Sequence, residues 1–162
     1  MRVVGIDPGL AFCGFGVVEG SGAQLGAVEY GCWHTHAGRP TELRLRDLFD
    51  ELSELLARYR PDAVALEESF VGPNARTALS IGQVRGALIV ACAQMGVDCT
   101  EYPPARVKQA VCGYGAADKT QVQQMAKAIL HLEAQPTPTH AADALAVAIC
   151  HASSPALLRL AG

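Results

Sequence analysis

A long amphipathic segment between two short apolar runs constrains the fold more than any other feature of this chain. Residues 41–61 read TELRLRDLFDELSELLARYRP. The apolar side chains of this segment recur at helical spacing: Leu45, Leu48, Phe49, Leu52, Leu55, Leu56 and Tyr59. Thr41 is a candidate N-cap, and Pro61 follows the predicted end. Residues 2–7 and 62–68 are typical of short buried strands, so the segment predicts a crossover helix between two parallel strands that lie side by side.

The rest of the chain predicts an α/β protein. The other predicted elements are, in order, strands 13–19 and 24–35, helix 77–96, strand 97–102 and helices 104–113, 118–132 and 139–152. Three early strands with short connections favour an antiparallel meander, and Asp118 and Gln121 have the spacing of a capping box. The order βββ-α-β-α-β-α-α-α fits a five-stranded mixed sheet with helices on both faces.

Size and composition fit one cytoplasmic domain. The chain has 162 residues and half of them are apolar, so we expect residues 1–162 to form a single domain with its own core. No apolar run reaches about 18 residues and no basic-then-apolar signal segment opens the sequence, which argues against a membrane protein. The six cysteines form no C-x-x-C pair, so we expect buried, reduced thiols.

The net charge of −3 does not by itself indicate a nucleic-acid-binding protein. The charge is unevenly distributed, however, because residues 70–130 carry six basic and three acidic side chains. This part of the chain could present a positive surface. An imbalance of this size is usually ordinary solvated surface, so it carries weight only beside other observations.

Carboxylates occur where two predicted parallel strands end. Asp7 closes the first strand and precedes a Pro-Gly pair, and Glu67 and Glu68 close the strand at 62–68. Open α/β sheets build their sites at the carboxyl ends of parallel strands. Successive strand residues face opposite ways, so only one of Glu67 and Glu68 can point into such a site, and the residues alone do not decide which. Asp7 by itself could serve only to begin the Asp-Pro-Gly turn.

The last predicted helix adds a histidine and an aspartate. His140 and Asp143 are three residues apart in its first turn and therefore lie on one face. An apolar run from 144 to 150 follows, so a carboxylate that faces the core there needs a partner. The alternative is that both residues only decorate the helix N-terminus, where the helix dipole favours an aspartate.

Together these residues predict a divalent metal centre. Two carboxylates about 4 Å apart repel each other by roughly 4 kcal/mol at an effective dielectric constant of about 20, and a divalent cation turns that repulsion into binding. Carboxylate ligands suit Mg²⁺ or Mn²⁺ rather than zinc. Asp7, one of the two glutamates, Asp143 and His140 therefore predict phosphodiester hydrolysis by two metals about 3.5–4 Å apart.

Five stretches of the chain resemble the RuvC family of bacterial Holliday-junction resolvases, which have the RNase H-like fold. They are GIDPGL, ALEESF, NARTALSIGQVRGA, ARVKQAVCGYGAADKTQVQ and HAADALAVAICH. The resemblance implies an endonuclease that resolves four-way DNA junctions in recombination and repair, by paired nicks on strands of like polarity that leave 5′-phosphates. It also implies a homodimer that works with RuvA and RuvB. The apolar surface of helix 77–95 is our candidate for the dimer contact.

The resemblance implies roles for individual residues. The family's metal-binding positions correspond to Asp7, Glu67, His140 and Asp143. Lys108 and Lys119 match basic positions that contact DNA, although without the family each reads as a solvated helix residue. Phe70 matches an aromatic residue that stacks on a junction base, although by itself it reads as core. Asn74 and Arg76, in the loop that follows, are candidate phosphate ligands.

Two positions depart from the family pattern. The family often has an aspartate where this chain has His140, and commonly a glutamine where it has Glu68. An imidazole is a softer ligand that favours Mn²⁺ over Mg²⁺, or it could transfer a proton near pH 7.

Two other functions would account for parts of the sequence. DPGLAFCGFGVV also resembles the first phosphate loop of sugar kinases and actin-like ATPases, but those proteins need two such domains and usually more than twice this length. The second alternative is a catalytically silent relative that binds junctions or RNA. The full set of carboxylates argues against this alternative.

Overall fold

The computed structural model describes residues 1–68 and 74–154. The strands are β1 (Arg2–Asp7), β2 (Phe12–Ser21), β3 (Gln24–His34), β4 (Ala63–Glu67) and β5 (Asp98–Tyr102). The helices are α1 (Thr41–Tyr59), α2 (Ala75–Met95), α3 (Pro104–Cys112), α4 (Lys119–Ile129) and α5 (Thr139–Ala152). The predicted order of elements is confirmed, and the ends of the elements differ from the predicted ones by a few residues.

The five strands form one mixed sheet in the order β3-β2-β1-β4-β5. Strand β1 pairs antiparallel with β2 and parallel with β4, and β4 pairs parallel with β5. The predicted meander and the predicted parallel neighbours β1 and β4 are both confirmed. Gly5 lies opposite Ala65 and Ile6 opposite Leu66, so β1 and β4 end at the same edge of the sheet.

The two faces of the sheet bury separate hydrophobic cores. Val4 and Ile6 pack with leucines of α1 and with α2 on one face, while Val3 and Ala65 pack with α3, α4 and α5 on the other. Helices therefore cover both faces, as predicted. Because side chains alternate along a strand, Asp7 points to the same face as Val3, and this is the face that α5 covers.

Helix α5 lies in backbone contact with the sheet because glycines of β1 and β2 leave no side chain between them. A Cβ built on Gly5 would lie 2.0 Å from the carbonyl oxygen of Ala144, and one built on Gly14 would lie 2.0 Å from that of His140. The helix is buried from residue 144 to residue 152. Its first turn is thereby held against the end of β1.

The N-terminal caps of α4 and α1 confirm one prediction and correct another. Asp118 and Gln121 form the predicted capping box, in which each side chain accepts a hydrogen bond from the backbone N–H of the other residue, at 2.9 Å. The predicted N-cap role of Thr41 is wrong, because Thr41 is already helical and Pro40 occupies the cap position without a side-chain hydrogen bond. A capping oxygen must come from the residue that precedes the first helical one.

Helix α2 is the one described helix that is long and apolar enough to cross a membrane by length and composition, with 22% of its apolar stretch buried. No such segment was expected from the sequence. One such helix is weak evidence, since core helices pass the same test. Its exposed side, called here the outer face of α2, carries Leu79, Gly82, Gly86, Ile89 and Val90.

The six cysteines are free thiols, as expected, but their burial differs. Cys13, Cys92 and Cys150 are buried, whereas the other three are half-buried.

Candidate active site

Four of the predicted site residues meet at the edge where β1 and β4 end. Asp7 ends β1, Glu67 ends β4, and His140 and Asp143 lie in the first turn of α5. All four line one cavity of about 390 Å³. Glu67, and not Glu68, lines this cavity, because Glu67 alternates with the buried Leu66 and so faces α5 like Ala65 and Asp7.

Close polar contacts join these side chains. His140 Nδ1 lies 2.7 Å from Asp7 Oδ2. One ligand atom from each of Asp7, His140 and Asp143 lies within 4.8 Å of the other two. On the far side of the cluster, Lys119 Nζ donates a hydrogen bond to Asp143 Oδ2 over 2.7 Å. The cluster therefore holds carboxylate oxygens, one imidazole and one ammonium group within a small volume.

The carboxylates are crowded and largely removed from water. Burial raises the pKa of Asp7, and the Asp143 charge adds to this, although the hydrogen bond with His140 acts in the opposite direction. Burial, followed by the charges of Asp7 and Asp143, raises the pKa of Glu67 to about 8. Each shift means that burial and neighbouring negative charge disfavour the ionised carboxylate, and that nearby positive charge does not compensate for them.

Lys119 supplies part of that positive charge. Partial burial lowers its pKa, but the hydrogen bond to Asp143 and the charges of Asp7 and Glu67 outweigh this effect, so the pKa of Lys119 is raised overall. The lysine is accordingly held as an ammonium ion beside the carboxylates. The positive charge of Lys119 acts on three acidic groups, Asp143, Asp7 and Glu67.

The residues fit a divalent cation. Asp7, Asp143 and His140 form a group that could hold a metal ion, and Glu67 lines the same cavity. Hard divalent cations prefer carboxylate oxygens, and such a cation would offset the burial and the mutual repulsion that raise the pKa values of Asp7 and Glu67. In the metal-free chain, protonation of Glu67 and the ammonium group of Lys119 relieve part of the repulsion among the carboxylates.

The predicted DNA-contacting residues fall into three groups. Lys108 and Lys119 line the cavity together with the carboxylates. Arg76 lines an adjoining groove that also reaches Asp7. The Asn74 side chain caps α2 and accepts hydrogen bonds from the backbone N–H groups of residues 76 and 77 at 3.1 and 3.3 Å. Phe70 lies outside the described residues.

Two residues beside the cluster were not predicted from the sequence. The Phe12 ring stacks parallel to the His140 ring, with centroids 5.8 Å apart and planes 3° apart. Arg44 of α1 donates from Nε to Thr35 Oγ1 over 2.8 Å. Strand alternation with the buried Cys13 could have assigned Phe12 to the face that α5 covers. Nothing in the helical pattern distinguishes Arg44 from an ordinary solvent-facing residue.

Comparison with known proteins finds one family along most of the chain. Residues 3–151 match the family described as crossover junction endodeoxyribonuclease RuvC. The chain is similar to the crossover junction endodeoxyribonuclease RuvC of Brevibacillus brevis, at 48% identity over 160 residues, which cover 99% of this chain and 96% of that protein.

Solved structures give the same match. The structure of T. thermophilus RuvC in complex with a Holliday junction substrate superposes with a TM-score of 0.91 at 39% identity, covering 94% of this chain and 93% of the other. The yeast mitochondrial Holliday junction resolvase Ydc2 shares only the fold, at 12% identity and a TM-score of 0.71, covering 98% and 80% of the two chains. The predicted RNase H-like fold is confirmed.

We expect Glu67→Gln to remove a pH dependence of stability in the metal-free protein. The pKa of Glu67 is about 8 in the folded chain against an ordinary value of 4.5. The folded state thus keeps a proton that the unfolded chain releases, and the free energy of unfolding falls as the pH rises between these values. Denaturant unfolding should be measured in chelator at about pH 5 and pH 8. Between these pH values the free energy of unfolding should fall less in the variant than in the unaltered chain, by ~1 kcal/mol or more.

Glu133→Gln is the matched control, because Glu133 is an exposed loop residue. It should show the same pH dependence as the unaltered chain. Equal pH dependence in Glu67→Gln and in the unaltered chain would contradict the assigned crowding.

Proposed function

The chain belongs to the RuvC family of crossover junction endodeoxyribonucleases, and we propose that it nicks four-way DNA junctions in a metal-dependent reaction. The observation that carries this proposal is the meeting of Asp7, Glu67 and Asp143 in one cavity that Lys108 and Lys119 also line. Hydrolysis of a phosphodiester needs divalent cations beside groups that bind the phosphate backbone. The similarity to a resolvase solved with its junction supports a four-way junction as the substrate.

We propose that Asp7, Glu67, Asp143 and His140 hold Mg²⁺ or Mn²⁺, with two ions in each site. The ions would supply activation of the attacking water and stabilisation of the negative charge that develops on the leaving 3′ oxygen, so that the product carries a 5′-phosphate. The oxygen-rich donor set and the raised pKa of Glu67 support this assignment. His140 is the one nitrogen donor of the set.

The protein's own side chains position the DNA and the ligands. The Asp7 carboxylate, fixed at the end of β1, orients the His140 imidazole through their 2.7 Å contact. Lys108 attracts the phosphate backbone to the cavity. Lys119 exchanges its bond to Asp143 for a phosphate when Asp143 becomes a ligand, because its ammonium is already held within the cavity.

We propose that residues 1–162 act as one nuclease domain in the cytoplasm, as a homodimer that works with RuvA and RuvB. The outer face of α2 supports the dimer, because Leu79 and Val90 are 66% and 57% exposed there. An added Cβ at Gly82 or Gly86 would have no neighbour within 4 Å, so a second helix could approach closely. A two-fold axis would present two identical sites to strands of like polarity.

Asp7→Asn is expected to abolish junction cleavage and to preserve junction binding. The amide cannot replace the carboxylate as a metal ligand, so the nicking rate should fall by about 100-fold or more. Binding should be unchanged or tighter, because the variant removes a negative charge near the phosphates. Gel assays with a synthetic four-way junction in Mg²⁺ and in Mn²⁺ measure the rate, and mobility shifts in chelator measure the affinity.

Asp98→Asn at the exposed start of β5 is the matched control and should cleave normally. Cleavage by Asp7→Asn at a rate near that of the control in Mg²⁺ would refute the assigned site.

His140→Asp should shift the metal preference from Mn²⁺ towards Mg²⁺. A third carboxylate replaces the imidazole, and hard oxygen donors suit Mg²⁺ better than a nitrogen donor does. The ratio of nicking rates in the two metals, measured on the same junction, should change by about tenfold in favour of Mg²⁺, an estimate equal to ~1.4 kcal/mol of differential stabilisation. His131→Asp, at an exposed position, should leave the ratio unchanged. The same ratio in both variants would argue against ligation by His140.

Val90→Glu should dissociate the proposed dimer. The variant places a carboxylate on the outer face of α2, where the two-fold axis would bring two copies together. Sedimentation velocity at micromolar concentration should then give a monomer. Val28→Glu is the control, because Val28 is 47% exposed on strand β3 and away from α2. A dimer that persists in Val90→Glu would place the interface elsewhere.

A further inference from the structure

A second groove adjoins the metal centre and is built from other elements of the fold. It encloses about 750 Å³ between the turn after β1 and the first turns of α1 and α2. Asp7 and His140 line both this groove and the first cavity, whereas Lys108 and Lys119 line only the first. The metal centre thus lies at the boundary between two open spaces.

Arg44 is fixed in the second groove. Its Nε donates to Thr35 Oγ1, and Thr35 in turn bonds to the turn that follows Asp7, through its hydroxyl to the Leu10 carbonyl and through its N–H to the Ala11 carbonyl. Among the described residues, no other hydrogen bond or ion pair engages this guanidinium. Within the described part of the chain, its two terminal nitrogens have no partner and could donate to a ligand in the groove.

The lining of the groove favours an anionic ligand. Arg44 and Arg76 line it together with Thr41, Thr77 and Ser80, and Asp7 is its only acidic lining residue among those described. A guanidinium binds phosphate through paired donors in a fixed geometry. Two arginines and several hydroxyl groups match the contacts that proteins make to a nucleic-acid backbone.

Phe12 presents an aromatic surface where the groove meets the metal centre. Its side chain is 47% exposed, although the ring stacks on His140 and meets the edge of the His34 ring at 4.8 Å. Two neighbouring rings hold it in one orientation. An exposed aromatic ring beside a phosphate channel is a stacking surface for an unpaired base, and such stacking tolerates any base.

We propose that the cleaved strand crosses the metal centre from the first cavity into the second groove, where Arg44 and Arg76 bind its phosphates and Phe12 stacks on the base beside the scissile phosphate. This inference rests on the proposed nuclease function and adds the path of the strand. A strand with its scissile phosphate at Asp7 and His140 must continue in both directions. Lysines line the first cavity on one side of the metal centre, and arginines line the second groove on the other side. The phosphates on both sides of the scissile phosphate therefore lie near positive charge.

Arg44→Gln tests the phosphate contact. Binding of the full chain to a four-way junction in chelator should weaken about five- to tenfold at low salt, and the slope of log Kd against log salt should fall by about one for each subunit. Arg44→Lys should keep most of that slope, which separates charge from any loss of the bond to Thr35. Arg46→Gln is the control on the same helix, since Arg46 is exposed and pairs with acidic residues of α1.

Phe12→Leu tests the stacking contact. A junction with 2-aminopurine placed in turn on each base beside the scissile phosphate should lose fluorescence on binding the unaltered chain, because stacking quenches this base. The quenching should disappear in Phe12→Leu and return in Phe12→Trp. Tyr30→Leu, at another exposed aromatic residue, should leave the quenching intact.

The outcomes separate this inference from the nuclease function. If the unaltered chain fails to nick the junction with either metal, the proposed function fails, and the path proposed here fails with it. If the unaltered chain nicks the junction but Arg44→Gln matches Arg46→Gln in affinity and salt slope, the strand path is overturned and the function stands. Quenching that persists in Phe12→Leu overturns the stacking role of Phe12.

Discussion

The backbone contact between α5 and the sheet is the constraint on which the site depends. Gly14 faces the carbonyl oxygen of His140 itself, and Gly5 faces that of Ala144 one turn further along. The turn that carries His140 and Asp143 is thus positioned by main-chain atoms rather than by flexible side chains. A close-packed interior transmits small displacements, so a methyl group at either glycine would move both site residues away from Asp7.

The fold holds together a group of carboxylates that is unfavourable in free energy. Burial and mutual repulsion raise the pKa values of both Asp7 and Glu67, which means that the folded chain is less stable with both ionised. The two hydrophobic cores on either side of the sheet supply the stability that offsets this repulsion. A divalent cation bound at this group of residues would relieve the repulsion between the carboxylates.

The sequence predicts the elements and most of the acidic cluster, since both follow from local periodicity and from where parallel strands end. The choice between Glu67 and Glu68 needed the structure, in which Leu66 is buried against α1 and α2 and its neighbour Glu67 therefore faces the other side. Arg44 could not be found from the sequence either. Its role depends on a bond to Thr35 and on a groove shared with α2, and neither relation is visible in the pattern of a single helix.

The ion pair between Lys119 and Asp143 links the two ligands that the site would bind. With Asp143 ionised and no cation present, the Lys119 ammonium is engaged within the protein. A cation that took Asp143 as a ligand would release this ammonium for a phosphate, and a phosphate that drew Lys119 away would leave Asp143 free for a cation. Under the proposed assignment each ligand would therefore favour the other, and linkage requires the two effects to be equal in free energy. A chain with a net charge of −3 would in this way hold a polyanion at a cavity lined by three carboxylates.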